Sequence, residues 1–225
     1  LASSVNPNVY SRGHKNHFDP PPAHTGDPVW SYARVLEIYK RIEDWQGAPD
    51  PVRRGKGGRL WVAPAQNPNP IAQAMLAAAA SMGIPKFDDQ NGVMMEGAGG
   101  AAIANLRIRD GRRRNLPADY LYQALKRPDM TLLTGAEVQT LKMEGKRVKG
   151  VTFVRDGKVQ TVRAARRVVL CAGAINTPKI LMLSGIGDEA ELKRHGIKVA
   201  VKLPGVGRNF QDYVLVASCI WEYNN

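Results

Sequence analysis

The spacing of apolar residues predicts three helices in the first 130 residues of the chain. From Trp30 to Trp45 the apolar positions 32, 35, 36, 39 and 42 fall on one face of a helix. From Pro70 to Met82 a proline opens an alanine-rich segment, and Gly83 follows it, which is the usual order at the start, body and end of a helix. A shorter helix is predicted from about Pro117 to Lys126.

After these helices, short runs of apolar and β-branched residues predict strands. Turns are indicated by Glu144-Gly145-Lys146 and by Asp156-Gly157, and the second of these favours a tight β-hairpin. Helices and strands are thus mixed, and the predicted fold class is α/β (α+β mixed). The predicted strands are Met130–Thr134, Glu137–Met143, Val148–Arg155, Val159–Arg163 and Arg167–Cys171.

One segment joins a strand pattern directly to a helix pattern. Residues 168–172 form an apolar run that suits a strand buried on both faces, and Gly173 is a small residue for the turn after it. Thr177 is then expected to cap a helix, Pro178 to occupy its first position, and Gly185 to end it. A turn of small residues lets a ligand approach the main chain closely, but an ordinary strand–helix connection explains the same residues.

The same segment resembles a signature of a known family, the glucose–methanol–choline oxidoreductases, which are FAD-dependent alcohol oxidases and dehydrogenases. The resemblance covers nearly the whole chain. It implies an internal fragment of such an enzyme, under half of a full member, and the start at Leu1 rather than Met agrees with that expectation. The matching residues are Gly173-Ala174-x-x-Thr177-Pro178-x-Ile180-Leu181-x-x-Ser184-Gly185-Ile186-Gly187, with Tyr10-x-Arg12-Gly13 and Leu203-Pro204-Gly205-Val206-Gly207 elsewhere.

The resemblance also implies a division of the chain into parts of two domains. These are a partial FAD/NAD(P)-binding, Rossmann-like domain and part of an antiparallel-sheet substrate domain. Residues 1–60 would form the flavin-contact loop and the lid or extended FAD-binding region, and residues 61–110 the start of the substrate domain. Residues 111–202 would form the second part of the FAD-binding domain, and residues 203–225 a return to the substrate domain.

Cofactor contacts follow from the resemblance by position. Asn6, Pro7, Asn8 and Val9 would line the flavin, and Ala2 would lie near its phosphate end. Main-chain N–H donors in such a loop stabilise negative charge on a flavin. Pro7 departs from the family pattern by lacking a donor, and Asn8 stands where the family has Met.

A second group of cofactor contacts is expected in the later part of the chain. In the family, the valine that corresponds to Val138 meets the adenine through its main-chain N–H and C=O. Ala172 and Gly173, in the turn of small residues, are assigned to the same cofactor. Some family members attach FAD covalently through a histidine near positions 5 and 6. Val5 and Asn6 stand there, which implies non-covalent FAD.

No catalytic residue is assigned. The family's catalytic histidine, which takes the hydroxyl proton, and its partner His or Asn correspond to positions beyond residue 225. His14 and His17 have no third or fourth ligand near them in the sequence, so no metal is expected. The implied substrate is a small-molecule alcohol, and the electron acceptor is unknown.

Composition and charge argue against several other classes of function. The net charge is +12, but the arginines and lysines are scattered without interleaved aromatic residues, which does not favour a nucleic-acid interface. No apolar run has the length of a transmembrane segment. Cys171 and Cys219 make no disulfide framework, and Cys171 is expected to be a packed thiol. Localisation stays open, with a cytoplasmic or membrane-peripheral protein favoured.

The sequence thus predicts an FAD-dependent oxidoreductase that acts on CH–OH groups, with hydride passing to flavin N5. Three alternatives stay open. One is a hydroxynitrile-lyase-like member with the same fold, another is a catalytically inactive truncated product, and the third is a basic binding module.

Overall fold

The computed structural model describes residues 2–19 and 27–212. They belong to two compact units, which divide in the sequence between Thr131 and Leu132. Cys219 and most of the predicted segment 203–225 lie outside the described residues. Helices and strands are mixed in both units, as the sequence predicts.

Among its described residues, the first unit contains four short strands in two pairs, parallel β1–β2 and antiparallel β3–β4. The strands are β1 Glu43–Trp45, β2 Leu60–Val62, β3 Ile108–Arg109 and β4 Arg112–Arg113. The helices are α1 Ala2–Val5, α2 Tyr32–Ile42, α3 Pro70–Ser81 and α4 Tyr122–Ala124, with 3₁₀ turns at Lys15–His17, Pro28–Trp30 and Val93–Glu96 and a π-helical turn at Pro117–Leu121.

Helix α3 confirms its prediction and shows why these residues form a helix. Asn69 caps it, since its side-chain oxygen accepts a hydrogen bond from the N–H of Ile71 at 3.0 Å. Pro70 occupies the first position, where a missing N–H costs nothing. Gly83 follows the last turn with φ +80°, a left-handed conformation that glycine adopts without strain. Helix α2 is shorter than predicted because residues 43–45 leave the helix to pair with β2.

The second unit is built on a three-stranded antiparallel sheet in the order β5–β6–β7. The Asp156-Gly157 hairpin is confirmed, with φ of +51° and +71° at its two residues. Helix α5 packs on β5, and the core contains Leu141, Ile180 and Ile186. The elements are β5 Glu137–Glu144, β6 Arg147–Arg155, β7 Lys158–Arg163, α5 Gly173–Leu183, β8 Ile186–Gly187, α6 Glu189–Arg194 and β9 Val201–Lys202.

Two predicted strands are wrong. Residues 130–134 and 167–171 pair with no other strand among the described residues. In the second run Val169 is 72% exposed and Cys171 is an exposed free thiol rather than a packed one. An apolar run becomes a buried strand only when neighbouring strands satisfy its main chain and cover its faces, and the run itself does not specify those neighbours.

The predicted start of α5 is also wrong. The helix begins at Gly173, so Pro178 lies inside it rather than at its first position. Thr177 does not cap a following turn, because its hydroxyl oxygen accepts a hydrogen bond from the N–H of Ala172 at 3.2 Å. Gly173, with φ +87°, makes the turn into the helix, as the sequence predicts for this small residue.

Candidate functional site

The predicted flavin loop, residues 6–9, is folded into a turn by a hydrogen bond to the side chain of Asn6. The N–H of Asn8 donates to Asn6 Oδ1 at 3.0 Å, which forms a local turn. Asn8 has φ +67°, in the left-handed region that asparagine tolerates better than most residues. The backbone conformation therefore gives a local reason for asparagine at position 8.

The end of the loop pairs with residues 105–107. The C=O of Asn8 accepts from the N–H of Arg107 at 2.9 Å, and the N–H of Tyr10 donates to the C=O of Asn105 at 2.8 Å. Val9 therefore faces Leu106 as a non-hydrogen-bonded antiparallel pair. In such a pair the main-chain groups of Val9 point away from the neighbouring strand, so its N–H is directed outward from this pairing.

Residues at the end of the β3–β4 hairpin and just after it form hydrogen bonds with residues 4 and 6. Arg113 Nη1, at the end of β4, donates to the main-chain oxygen of Asn6 at 2.5 Å and to its Oδ1 at 3.1 Å. Asn115 Nδ2 donates to Ser4 Oγ at 3.2 Å. These contacts span more than 100 residues of sequence, and no local pattern in the chain indicates them.

A buried ion network anchors the chain immediately after the loop. Arg12 donates to Glu43 Oε2 at 2.6 Å, and Arg54 lies 3.3 Å from the other carboxylate oxygen. Glu43 is fully buried. Burial raises the pKa of Glu43, and the two guanidinium groups oppose that rise. Burial likewise lowers the pKa of Arg54, whose guanidinium carbon lies 3.7 Å from the ring centroid of Trp45.

The second unit contains a cavity of about 400 Å³ between β5 and the residues that lead into α5. Val138 and Ala172, both predicted cofactor contacts, line this cavity together, and Gly173 follows directly. They are 34 residues apart in the sequence, from 138 to 172. The other lining residues are Ala136, Glu137, Gln139, Val169, Leu170, Cys171, Asn176, Lys179, Ile180 and Leu183.

The predicted cofactor residues thus fall into two groups, one in each unit. Asn6, Pro7, Asn8 and Val9 form one continuous loop of the first unit, and the chain enters it from α1, which begins at Ala2. Val138, Ala172 and Gly173 form the second group, at the cavity. Sequence reasoning missed Arg113 and the Glu43 network.

Among residues 2–19 and 27–212, no group of three or more His, Cys, Asp or Glu side chains is placed to hold a metal ion. His14 has a structural role there. Its Nδ1 accepts from the N–H of Asn16 at 3.1 Å and its Nε2 lies 2.8 Å from the C=O of Gly97, so Nε2 carries the proton. In the same described residues, every helix is too short or too polar to cross a bilayer.

Comparison with known proteins agrees with this architecture. A family model described as GMC oxidoreductase matches residues 2–215. An oxygen-dependent choline dehydrogenase of Brucella ovis is 41% identical over 215 residues, which cover 96% of this chain and 38% of that relative. The solved structure of pyridoxine 4-oxidase from Mesorbium loti is 32% identical with a TM-score of 0.77, and the match covers 90% of this chain and 39% of that one.

An FAD-dependent oxidoreductase from Chaetomium thermophilum is 27% identical with a TM-score of 0.83, over 91% of this chain and 37% of that one. The chain therefore belongs to the GMC oxidoreductase family. It spans 38% of the length of the choline dehydrogenase that it matches.

FAD is the cofactor that membership of this family implies, and the residues present fit it. The cavity beside Val138 has the size of a ligand pocket, for which about 300–1,000 Å³ is usual. Ala172 adds only a methyl group to the lining, and next to it the place of a Cβ on Gly173 is open space, with no atom within 4 Å apart from its chain neighbours and the backbone of its own helix. In the other unit the loop at Asn6 to Val9 is exposed or half-buried, and so accessible to a ligand.

Proposed function

We propose that the complete protein carrying these residues oxidises the CH–OH group of a small-molecule alcohol. Bound FAD supplies the hydride acceptor for this chemistry. The observation that carries the proposal is the cavity that both Val138 and Ala172 line, because the family resemblance assigns both residues to the cofactor and the fold brings them into one ligand-sized space.

The residues of this chain have binding and orienting roles in the proposal. Val138 offers main-chain groups of strand β5, which has no strand on its second edge among the described residues, to the adenine. Ala172 adds only a methyl group to the wall beside it, and Gly173, the next residue, has no side chain. Asn6 to Val9 offer hydrogen-bond donors to the flavin end, where fixed donors stabilise negative charge without reorganisation of solvent.

We assign a non-covalent linkage to the FAD. Family members that attach FAD covalently use a histidine of this loop, and residues 2–9 contain no histidine. Acid precipitation of the holoenzyme should therefore release all of its flavin into the supernatant. Flavin that stays with the precipitated protein after washing would contradict this assignment.

Choline is the first substrate to test, since the relative from Brucella ovis is named for choline oxidation. Pyridoxine follows for the same reason, from the oxidase of Mesorbium loti. The electron acceptor is tested alongside, with oxygen and an artificial dye compared on the same preparation.

A cavity-filling variant tests the cofactor site. In Ala172→Leu three added carbons enter the cavity, and the dissociation constant for FAD should rise at least tenfold, which is about 1.4 kcal/mol. Ala174→Leu, at an exposed position of α5 outside the cavity lining, is the matched control and should bind FAD like the wild type. Equal affinity in all three proteins would show that FAD does not use this cavity.

The exposed thiol of Cys171 gives an independent measurement. In a Cys219→Ser background, the reaction of Cys171 with a thiol reagent should be slowed by FAD or ADP, because the residue lines the cavity. A rate that neither ligand changes would count against binding at this place.

A further inference from the structure

The side chain of Asn6 is held by hydrogen-bond donors only. Its Oδ1 accepts from the N–H of Asn8 at 3.0 Å and from Arg113 Nη1 at 3.1 Å. Neither a main-chain N–H nor a guanidinium can accept a hydrogen bond. The oxygen of the carboxamide must therefore face both groups, and this chemistry fixes which way the amide points.

The amino group of the same side chain is left available. Among residues 2–19 and 27–212, no protein acceptor lies within hydrogen-bond distance of Asn6 Nδ2, and the residue is exposed. The loop has few other free donors, because Pro7 has no N–H and the N–H of Asn8 is taken by Asn6. Asn6 Nδ2, Asn8 Nδ2 and the outward N–H of Val9 are the donors of this loop for which the described residues offer no acceptor, and of the three Asn6 Nδ2 is the one whose carboxamide Arg113 holds.

We propose that Arg113 is a positioning residue that holds the Asn6 carboxamide so that its amino group donates a hydrogen bond to an acceptor atom of the bound flavin. This inference rests on the proposed function, since it requires FAD at the loop. In this role Arg113 strengthens FAD binding through Asn6 and does not itself contact the flavin.

The geometry explains why an arginine of a hairpin suits this role. One nitrogen of Arg113 reaches both the main-chain oxygen and Oδ1 of Asn6, which restrains the backbone and the side chain together. A charged donor makes a stronger hydrogen bond than a neutral one. Arg113 is itself fixed by strand pairing with Ile108. Its neighbour Arg112 points to the other face of the hairpin and makes no side-chain hydrogen bond or ion pair among the described residues, so it serves as a control.

The first variant, Asn6→Asp, removes the hydrogen-bond donor of the side chain and keeps the acceptor on which the local fold depends. A carboxylate still accepts from Asn8 and Arg113, but it has no hydrogen to donate to the flavin. We expect the melting temperature of the flavin-free protein to stay at the wild-type value or rise, while the dissociation constant for FAD rises at least tenfold. Asn16→Asp, at an exposed asparagine outside the loop, introduces the same charge and should leave FAD affinity unchanged.

The second set of variants tests whether Arg113 acts through Asn6. Arg113→Ala should also weaken FAD binding at least tenfold, whereas Arg112→Ala should not. Arg113→Lys should restore most of the affinity, because an ammonium group can still donate to both oxygens. In the double variant Asn6→Asp/Arg113→Ala, the loss should be close to that of Asn6→Asp alone, since the two changes remove one shared interaction.

All measurements are made on the complete protein after removal of its flavin, by FAD titration together with the visible absorption spectrum of the bound flavin. Losses that multiply in the double variant, or an Arg113→Ala protein that binds FAD like the wild type, would overturn the role of Arg113 while leaving the proposed function intact. A folded wild-type protein that does not bind FAD would instead refute the proposed function, and this inference with it.

Discussion

Replacement of Glu43 by glutamine should strongly destabilise the first unit. Glu43 is fully buried and is the shared carboxylate of Arg12 and Arg54, whose side chains are 3% and 1% exposed. Glutamine preserves the shape of the side chain and can still accept a hydrogen bond from the N–H of Gly55, which lies 3.1 Å from the carboxylate. The substitution therefore removes the negative charge and replaces the oxygen that faces Arg54 by an amino group, which cannot accept from a guanidinium.

The expected magnitude follows from burial. Removal of one partner of a buried ion pair costs about 3–5 kcal/mol, because the other charge stays in the interior without compensation. Arg54 still has the carboxylate of Asp89 at 3.4 Å, so the substitution leaves Arg12 with the larger loss of electrostatic stabilisation. An exposed pair gives the contrast: Glu37 lies 3.5 Å from Lys40 within one helix and contributes about 0.3–0.5 kcal/mol.

Native-state hydrogen exchange of β1 and β2 is the appropriate assay, because it reports local opening in a protein with more than one unit. A loss of about 3 kcal/mol accelerates exchange roughly 100-fold, since 1.4 kcal/mol corresponds to a factor of ten. Glu37→Gln is the matched control and should change exchange about twofold. If Glu43→Gln exchanged no faster than this control, Glu43 would be protonated in the folded protein, and the ion network would not hold this part of the fold.

Two further predictions concern the second unit. Ser184→Ala removes the hydroxyl that accepts the N–H of Leu141 at 2.7 Å, and the unsatisfied donor should cost about 1–3 kcal/mol in hydrogen exchange of β5, while unchanged exchange would contradict this role. The side chains of Lys193 and Lys202 lower the pKa of Glu189 to about 2, so its contribution to stability is present above the unfolded pKa and is lost as the pH falls toward 2. Glu189→Gln should therefore reduce the acid sensitivity of α6, measured by exchange between pH 5 and pH 2, and an identical pH profile would refute it.

Local features of the fold were predictable where a few adjacent residues determine the geometry. The helix from Pro70 carries its cap and its glycine stop in its own sequence, and the Asp156-Gly157 turn needs only two residues that tolerate positive φ. Residues 168–172 show the limit of this reasoning, because their apolar character does not say whether a partner strand is present.

The parts of the site that depend on distant contacts were not predictable from pattern. Arg113 lies in a run of three arginines that reads as solvated charge, and only the fold brings it to Asn6, 107 residues earlier. Glu43 looks like a residue on the polar face of a predicted helix, yet it is buried between two arginines from separate segments. The loop and Val138 could be assigned to a cofactor from the family resemblance, because aligned positions alone are enough for that assignment. The contacts of Arg113 and Glu43 are not visible in such an alignment.

Whether the protein oxidises an alcohol is best measured by anaerobic mixing of the FAD-loaded complete protein with choline, and then with other alcohols. We expect that at least one alcohol bleaches the visible absorption of the bound flavin, in proportion to the aldehyde formed. A protein that binds FAD but whose flavin no alcohol reduces would contradict alcohol oxidation and favour a family member without net redox chemistry.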